Sequence, residues 1–104
     1  MTDEVVIHHG TTMVRRLHLA PGEAMAWHRD PFHRVAVVLG GDVLSIEYRD
    51  GGESHRVEIM PGQVEWEEPT LRVHRAVNVG KQAYEQVTLF LLDRSDAVAQ
   101  PNEE

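Results

Sequence analysis

Residues 28–34 read His-Arg-Asp-Pro-Phe-His-Arg, two imidazoles, two guanidiniums and a carboxylate around one Pro-Phe pair. Imidazole and carboxylate bind transition metals through nitrogen and oxygen, and they also carry protons in acid–base catalysis. The flanking runs, LAPGEAMAW before and VAVVLGGDVL after, are apolar and rich in β-formers, so the charged stretch falls on a short bend between strands. In an extended strand residues two apart point to the same side, which sets His28 beside Asp30. A third candidate, His74, shares its face with Arg72, Ala76 and Asn78. The bend is either a wet surface turn or the rim of a site that handles metal or charge.

Other chemistry is thinly represented. There is no cysteine, which removes disulfides, thiolate metal sites and a cysteine nucleophile. Ser45, Ser54 and Ser95 lie away from the histidine-bearing stretches, so nucleophilic catalysis is disfavoured. His8, His9, His18 and His55 read as surface or rim residues. His8 and His9 are neighbours and point to opposite faces of a strand, a poor two-ligand clamp, although either could line the mouth of a site.

The elements that must position these groups are short strands. Pro21-Gly22, Gly40-Gly41, Asp50-Gly51-Gly52 and Pro61-Gly62 mark turns at spacings of about ten to twenty residues. Between them lie EVVIHH, TTMVRRLHLA, AMAWH, RVAVVL, DVLSIEYR, SHRVEIM, QVEWEE, RVHRAVNV and AYEQVTLFLLD. Several alternate: Leu44, Ile46 and Tyr48 oppose Ser45, Glu47 and Arg49, and Val87, Leu89 and Leu91 oppose Tyr84, Gln86 and Thr88. Period 2 with regular turns predicts an antiparallel sandwich or barrel of eight or nine strands. No window has a helical period with caps. The polar end, residues 95–104, reads as a loose tail behind a single domain over 1–94.

Bulk composition narrows the partners. The chain has 104 residues, 41% hydrophobic, room for one domain with a modest core. Its net charge is -7, with one lysine (Lys81) against nine arginines. Neither nucleic acid nor an anionic membrane surface is an expected partner, since both require a basic face. The acidic start MTDEVVIHHG lacks a signal-peptide layout, and no apolar run reaches the roughly 18 residues of a spanning helix, so a soluble cytoplasmic protein is expected.

Two stretches resemble the motifs of the cupins. PGEAMAWHRDPFHRVAVVLGGDV is similar to the first motif, in which glycine, five residues and His-x-His precede a glutamate and, six residues on, a glycine. Gly22, His28 and Gly41 hold those places, with Asp30 at the second histidine and Arg34 at the glutamate. PGQVEWEEPTLRVHRAVN is similar to the second motif through Gly62, Pro69, His74 and Asn78, with one extra residue before Pro69 and Leu71 in place of a glycine. The resemblance spans residues 21–78. It implies an all-β double-stranded β-helix, a jelly-roll barrel of the RmlC-like kind. It also implies dimerisation through edge strands, for which the Val- and Ile-rich amino-terminal run is the candidate edge.

On that fold His28, Asp30 and His74 would converge inside the barrel as a two-histidine, one-carboxylate set. Such a set binds Fe, and with other partners Mn, Ni or Zn, leaving positions open for a small-molecule substrate. The 2-oxoglutarate oxygenases share the His-x-Asp…His set, but on much longer chains with a dedicated carboxylate clamp. Arg34 opposes metal binding, because a permanent cation stands where the family has an anionic ligand. It could grip a substrate carboxylate or phosphate, or it could pair with Asp30 and plug a metal-free pocket as an ion pair. His33 could supply a replacement ligand if the bend shifts by one residue.

Two function classes follow: a metal-dependent enzyme of oxygenase, isomerase or lyase type, with His28, Asp30, Arg34 and His74 as site residues, or a metal-free module. The module would bind a small ligand or act as a dimeric accessory subunit. Metal-free sugar epimerases of this fold resemble it in using a His–Asp pair. Around the site, Glu65 and Glu67 share a face opposite Val64 and Trp66. They read as a solvated acidic face over a core tryptophan, or as a pocket carboxylate that neutralises Arg34 or Arg72. Trp27 and Phe32 read as core or pocket wall, Phe32 and Leu71 could plug the pocket, and Asn78 is expected to tie down backbone.

Overall fold

A computed structural model describes residues 1–93; the expected tail lies outside the described residues. Among the described residues nine strands follow one another with no helix between them, hence none long and apolar enough to cross a membrane. They are β1 (Thr2–His9), β2 (Thr12–Leu19), β3 (His28–Asp30), β4 (His33–Gly40), β5 (Val43–Tyr48), β6 (His55–Glu58), β7 (Val64–Glu67), β8 (Thr70–Asn78) and β9 (Tyr84–Leu91). A five-stranded sheet runs β1-β2-β9-β4-β7 and a four-stranded sheet runs β3-β8-β5-β6. Every pairing is antiparallel. This is the all-β double-stranded β-helix that the two motifs imply.

The predicted turns form where glycine lets them. Gly22 and Gly62 follow prolines at φ 88° and 92°. Each closes a four-residue turn through Glu23 N–H to the Ala20 carbonyl at 3.0 Å and Gln63 N–H to the Met60 carbonyl at 3.0 Å. Proline presets the first central residue and glycine accepts the positive φ of the second, the arrangement of a type II turn.

AMAWH departs from expectation. Ala24 makes a single bridge to Val77, Met25 N–H reaches the Ala76 carbonyl, and regular pairing starts only at His28. Pro31 has no N–H to give to a ladder, so β3 stops at Asp30 and the chain turns through Phe32 into β4. The charged bend is thus the end of one strand, a two-residue corner and the start of a strand in the other sheet.

Leu17, Leu19, Val38, Leu44, Ala76 and Tyr84 form the apolar core between the sheets, with Met25, Ile46 and Ile59 packed against it. Asn78, 1% exposed, closes that end of the barrel. Its amide donates to the carbonyls of Leu19 (2.9 Å) and Gln82 (2.8 Å), and its oxygen accepts from Gly80 N–H (3.0 Å). That is the backbone-tying role the sequence suggested.

The core fills only part of the barrel. Beyond it lies a cavity of about 760 Å³, lined by the four-stranded sheet on one side and by β2, β4, β7 and β9 on the other. The two walls differ in chemistry. Leu44, Ile46, Val57 and Ile59 make an apolar wall on the smaller sheet, whereas Gln63, Glu65, Glu67, Gln86 and Thr88 make a polar one on the larger. In β9 the polar set therefore turns inward and Val87, Leu89 and Leu91 turn outward. The expectation of a core tryptophan under a solvated acidic face is reversed on β7. Glu65 and Glu67 line the cavity, and Trp66 keeps 51% of its surface exposed on the outside. The cavity accounts for the reversal, since a wet interior accepts polar side chains that a packed one would exclude.

Candidate metal centre

His28 and His74 lie directly opposite each other on β3 and β8, their ring centroids 4.6 Å apart. The register between these strands slips between His28 and Asp30, whose partner is Thr70, four positions from His74. This bulge swings the Asp30 carboxylate over the imidazoles. Asp30 Oδ2 stands 2.9 Å from His74 Nε2 and 3.3 Å from His28 Nε2. One donor atom from each residue falls within 4.8 Å of the other two. The three side chains that the sequence singled out therefore converge.

Each ring is oriented from behind. His28 Nδ1 donates to the Ala26 carbonyl at 2.8 Å, and His74 Nδ1 donates to the Arg72 carbonyl at 2.8 Å. A backbone acceptor at Nδ1 keeps a proton there and aims Nε2 at a shared point, where it offers a lone pair to a metal or, once protonated, an N–H to Asp30, the outer-shell arrangement of metal-ligating histidines. Cis donors on a metal with bonds of about 2.1 Å stand about 3 Å apart. The two imidazole-to-carboxylate separations match that spacing, so the donor set fits a divalent transition metal.

Arg34 approaches from β4, in the opposite sheet. One of its terminal nitrogens is 3.5 Å from Asp30 Oδ2 and 3.6 Å from Glu67 Oε1. The other donates to the carbonyls of Glu68 (3.1 Å) and Phe32 (3.4 Å). A ligand anion would have to displace these acceptors, so Arg34 acts here as a strut between two carboxylates. Glu67 sits in register with Arg34 across β4 and β7 and is the neutralising carboxylate anticipated for that face. Asp30, Arg34 and Glu67 together carry -1, the charge of a facial triad alone, so the objection that a lone arginine would repel a metal loses most of its force.

The electrostatics agree. Burial would raise the Asp30 carboxyl, but hydrogen bonds from His28 and His74 and the Arg34 charge outweigh it and hold the group far below the usual carboxylate range. The hydrogen bond to Asp30 pushes His28 up, against burial, with help from the Ala26 carbonyl. Burial pushes Glu67 up, Arg34 pulls it down and Glu65 adds to the rise.

The remaining expectations sort by strand face. His33 does not reach the site: it follows the opposite side of β4, buried against Trp66 with ring centroids 5.3 Å apart. Alternation dictates this, because its neighbour Arg34 points inward. Phe32 lines the cavity, while Leu71 is 48% exposed and outside it, so the two do not plug the pocket. Trp27 is not part of the wall and lies under the Arg75 guanidinium at 4.3 Å. Arg72 pairs with Asp50 at 2.8 Å and covers the Tyr48 ring at 3.6 Å. His8, His9 and His18 are not among the lining residues, but His55 is, its ring tilted against Tyr48 with centroids 5.7 Å apart. His55 is exposed, consistent with the surface or rim position expected for it, and the β5–β6 hairpin brings it to Tyr48.

Solved structures with this architecture are numerous. A cupin domain from Bordetella pertussis superposes with a TM-score of 0.75 at 21% identity, covering 86% of this chain and 91% of that one. The chain has the cupin fold. A double-stranded β-helix protein from Klebsiella pneumoniae matches this chain with a TM-score of 0.67 at 20% identity, over 90% of this chain and 78% of that one. An RmlC-like cupin from Methanocaldococcus jannaschii gives 0.62 at 15% identity, over 86% and 80%. No protein-family model matches the sequence, and no curated protein matches it. At these identities the likeness concerns the fold, and function must be argued from the site.

Proposed function

We propose that this cupin is a metal-dependent enzyme of oxygenase, isomerase or lyase type acting on a small organic molecule. His28, Asp30 and His74 would hold the metal. The observation that carries the reading is the aiming of both histidine Nε2 atoms at one carboxylate oxygen by backbone carbonyls behind them. A divalent Fe, Mn, Ni or Zn ion would supply Lewis-acid activation of a substrate bound at its open positions. Arg34 and Glu67 hold Asp30 in place and balance the charge around it. The apolar wall of Leu44, Ile46 and Val57 shields one side of a ligand from water, and Gln86 and Thr88 offer hydrogen bonds to the other. With Arg34 engaged by four acceptors, a neutral or hydroxylated substrate suits the cavity better than an anion does.

A second reading rests on a different feature of the same atoms. With both imidazoles doubly protonated, Asp30 Oδ2 faces three N–H groups, from His28, His74 and Arg34, so protons can balance the carboxylate without a metal. The barrel would then bind its ligand, or move protons, through a His–Asp pair. Thermal unfolding with added Fe(II), Mn(II), Ni(II) or Zn(II) separates the two. A ligand at a hundred times its dissociation constant adds about 2.7 kcal/mol to the folded state. The metal reading predicts a stabilisation that disappears in His74→Ala; no response to any of the four ions would transfer the conclusion to the metal-free pocket.

A further inference from the structure

The inner face of the larger sheet is laid out in rows, because directly opposed residues of neighbouring strands share a face. Phe90, Arg34 and Glu67 form the row that reaches Asp30. Two residues further along the strands, about 6.6 Å towards the core, the next row is Arg15, Thr88, Ala36 and Glu65. All four line the cavity. Ala36 puts only a methyl group between a hydroxyl and a carboxylate, so the row has a gap at its middle.

A hydrogen-bond chain on β9 sets the direction of that hydroxyl. Tyr84 is 3% exposed, and burial pushes its phenol up, so the O–H keeps its proton and must give it away. It donates to the Gln86 carbonyl oxygen, which turns the Gln86 amide nitrogen to donate to Thr88 Oγ1. Thr88, 5% exposed, therefore receives a proton and has its own left to give. Its neighbours across the strands are the Ala36 methyl and a donor, the Arg15 guanidinium, which is bound to Asp3 at 2.9 Å. The facing wall of Leu44, Ile46 and Val57 has no acceptor either. Among the described residues the Thr88 proton meets no acceptor, and a donor buried to this degree is unfavourable to leave unpaired. At the other end of the gap, Glu65 accepts from Gln63 Nε2 and lies against Glu67. A carboxylate has about four acceptor positions, so it has room for one more donor.

We propose that the gap over Ala36 is a substrate subsite, with Thr88 donating to one oxygen of the ligand and Glu65 accepting from a hydroxyl at its other end. Thr88 and Glu65 stand two strand spacings apart, about 9.6 Å. Hydrogen bonds of about 2.8 Å at each end leave about 4 Å. That is the reach of one small ring bearing oxygens on opposite sides, its carbon skeleton against the apolar wall. The subsite deepens the proposed enzyme function, on which it rests for its chemistry, by naming the substrate class as a small uncharged hydroxylated ring. Binding in the gap itself requires no metal.

Ligand-observed NMR titration of the intact, chelator-treated protein with 1,4-cyclohexanediol tests this. A dissociation constant of about 10 mM is expected for a probe of this size. Its dimethyl ether keeps the acceptors and loses the donors, and is expected to bind roughly tenfold more weakly. Thr88→Val keeps the side-chain shape and removes the hydroxyl, and is expected to weaken the diol by a similar factor. Glu65→Ala is expected to do the same, and its exposed position carries the test should Thr88→Val fold poorly. Equal binding of diol and ether, undiminished affinity in a folded variant, or no diol binding at about 100 mM would overturn the proposal. Because this titration contains no metal, its outcome bears on the gap alone, and the thermal response to metal ions separately tests the metal reading.

Discussion

His28 and His74 stand opposite each other on neighbouring strands, and each donates its Nδ1–H to the carbonyl two residues before it, Ala26 and Arg72. Neither ring can rotate without giving up that bond. Both Nε2 atoms are therefore committed to the space over Asp30. This repetition of one local device on two separate strands pre-orients both imidazoles toward one carboxylate oxygen, as the proposed metal site requires.

Charge around the ligands makes opposite predictions for two neighbours. Arg34→Gln removes a cation close to the proposed metal, and Glu67→Gln removes the carboxylate that balances it. At an effective dielectric near 20, one charge at short range is worth a few kcal/mol. Arg34→Gln is expected to tighten metal binding by about tenfold or more, and Glu67→Gln to weaken it by a similar factor. Isothermal titration with Zn(II) reads both.

The pH dependence of the metal-free protein should have two limbs. His28 is raised, chiefly by its hydrogen bond to Asp30, so its stabilisation is complete below the ordinary histidine value of about 6.5 and is lost as pH climbs through the raised value. Asp30 is depressed; burial opposes the shift, and the bonds from His28 and His74 overcome it. Its contribution is complete above about 3.9 and is lost as pH falls toward the depressed value. Urea midpoints should peak between those limits, and Asp30→Asn should flatten both limbs. Metal affinity should instead rise with pH, because binding requires His28 to lose its proton.

Asn78 should matter more than any exposed histidine. Asn78→Ala strips hydrogen bonds from the carbonyls of Leu19 and Gln82 and from Gly80 N–H inside the closed end of the barrel. The expected cost is about 2 to 3 kcal/mol in chemical denaturation. Substituting His8, which is exposed on β1, should stay within about 0.5 kcal/mol.

Gly41 is a sterically defined position. It has φ 130°, and a Cβ there would lie 2.8 Å from Cδ1 of the Tyr84 ring. Gly41→Ala is expected to destabilise by more than about 1 kcal/mol, whereas Gly10→Ala, which meets no atom within 4 Å, should pay only for its positive φ.

The legible parts of the protein were those that local rules decide. Pro-Gly pairs fixed turns at Gly22 and Gly62, and period 2 placed His28 beside Asp30. The His74 and Asn78 spacing resembled a known motif closely enough to identify the fold. What escaped was the choice between two faces. Alternation says that Trp66 and Glu67 oppose each other but not which of them faces inside, and the usual preference for apolar residues fails where the interior is a wet cavity. The partnership of Arg34 with Glu67 depends on the register of β4 against β7, and that of His55 with Tyr48 on the β5–β6 hairpin. Neither register is written in a window of neighbouring residues. Trp27 was misplaced for a related reason, since AMAWH has strand composition but no ladder partner until His28.

The most direct measurement is the metal content of tag-free protein by elemental analysis, repeated for Asp30→Ala and His74→Ala. The account predicts about one equivalent of a divalent transition metal in the wild type and none in either variant. Wild-type protein without metal, or variants that retain it, would contradict the central claim.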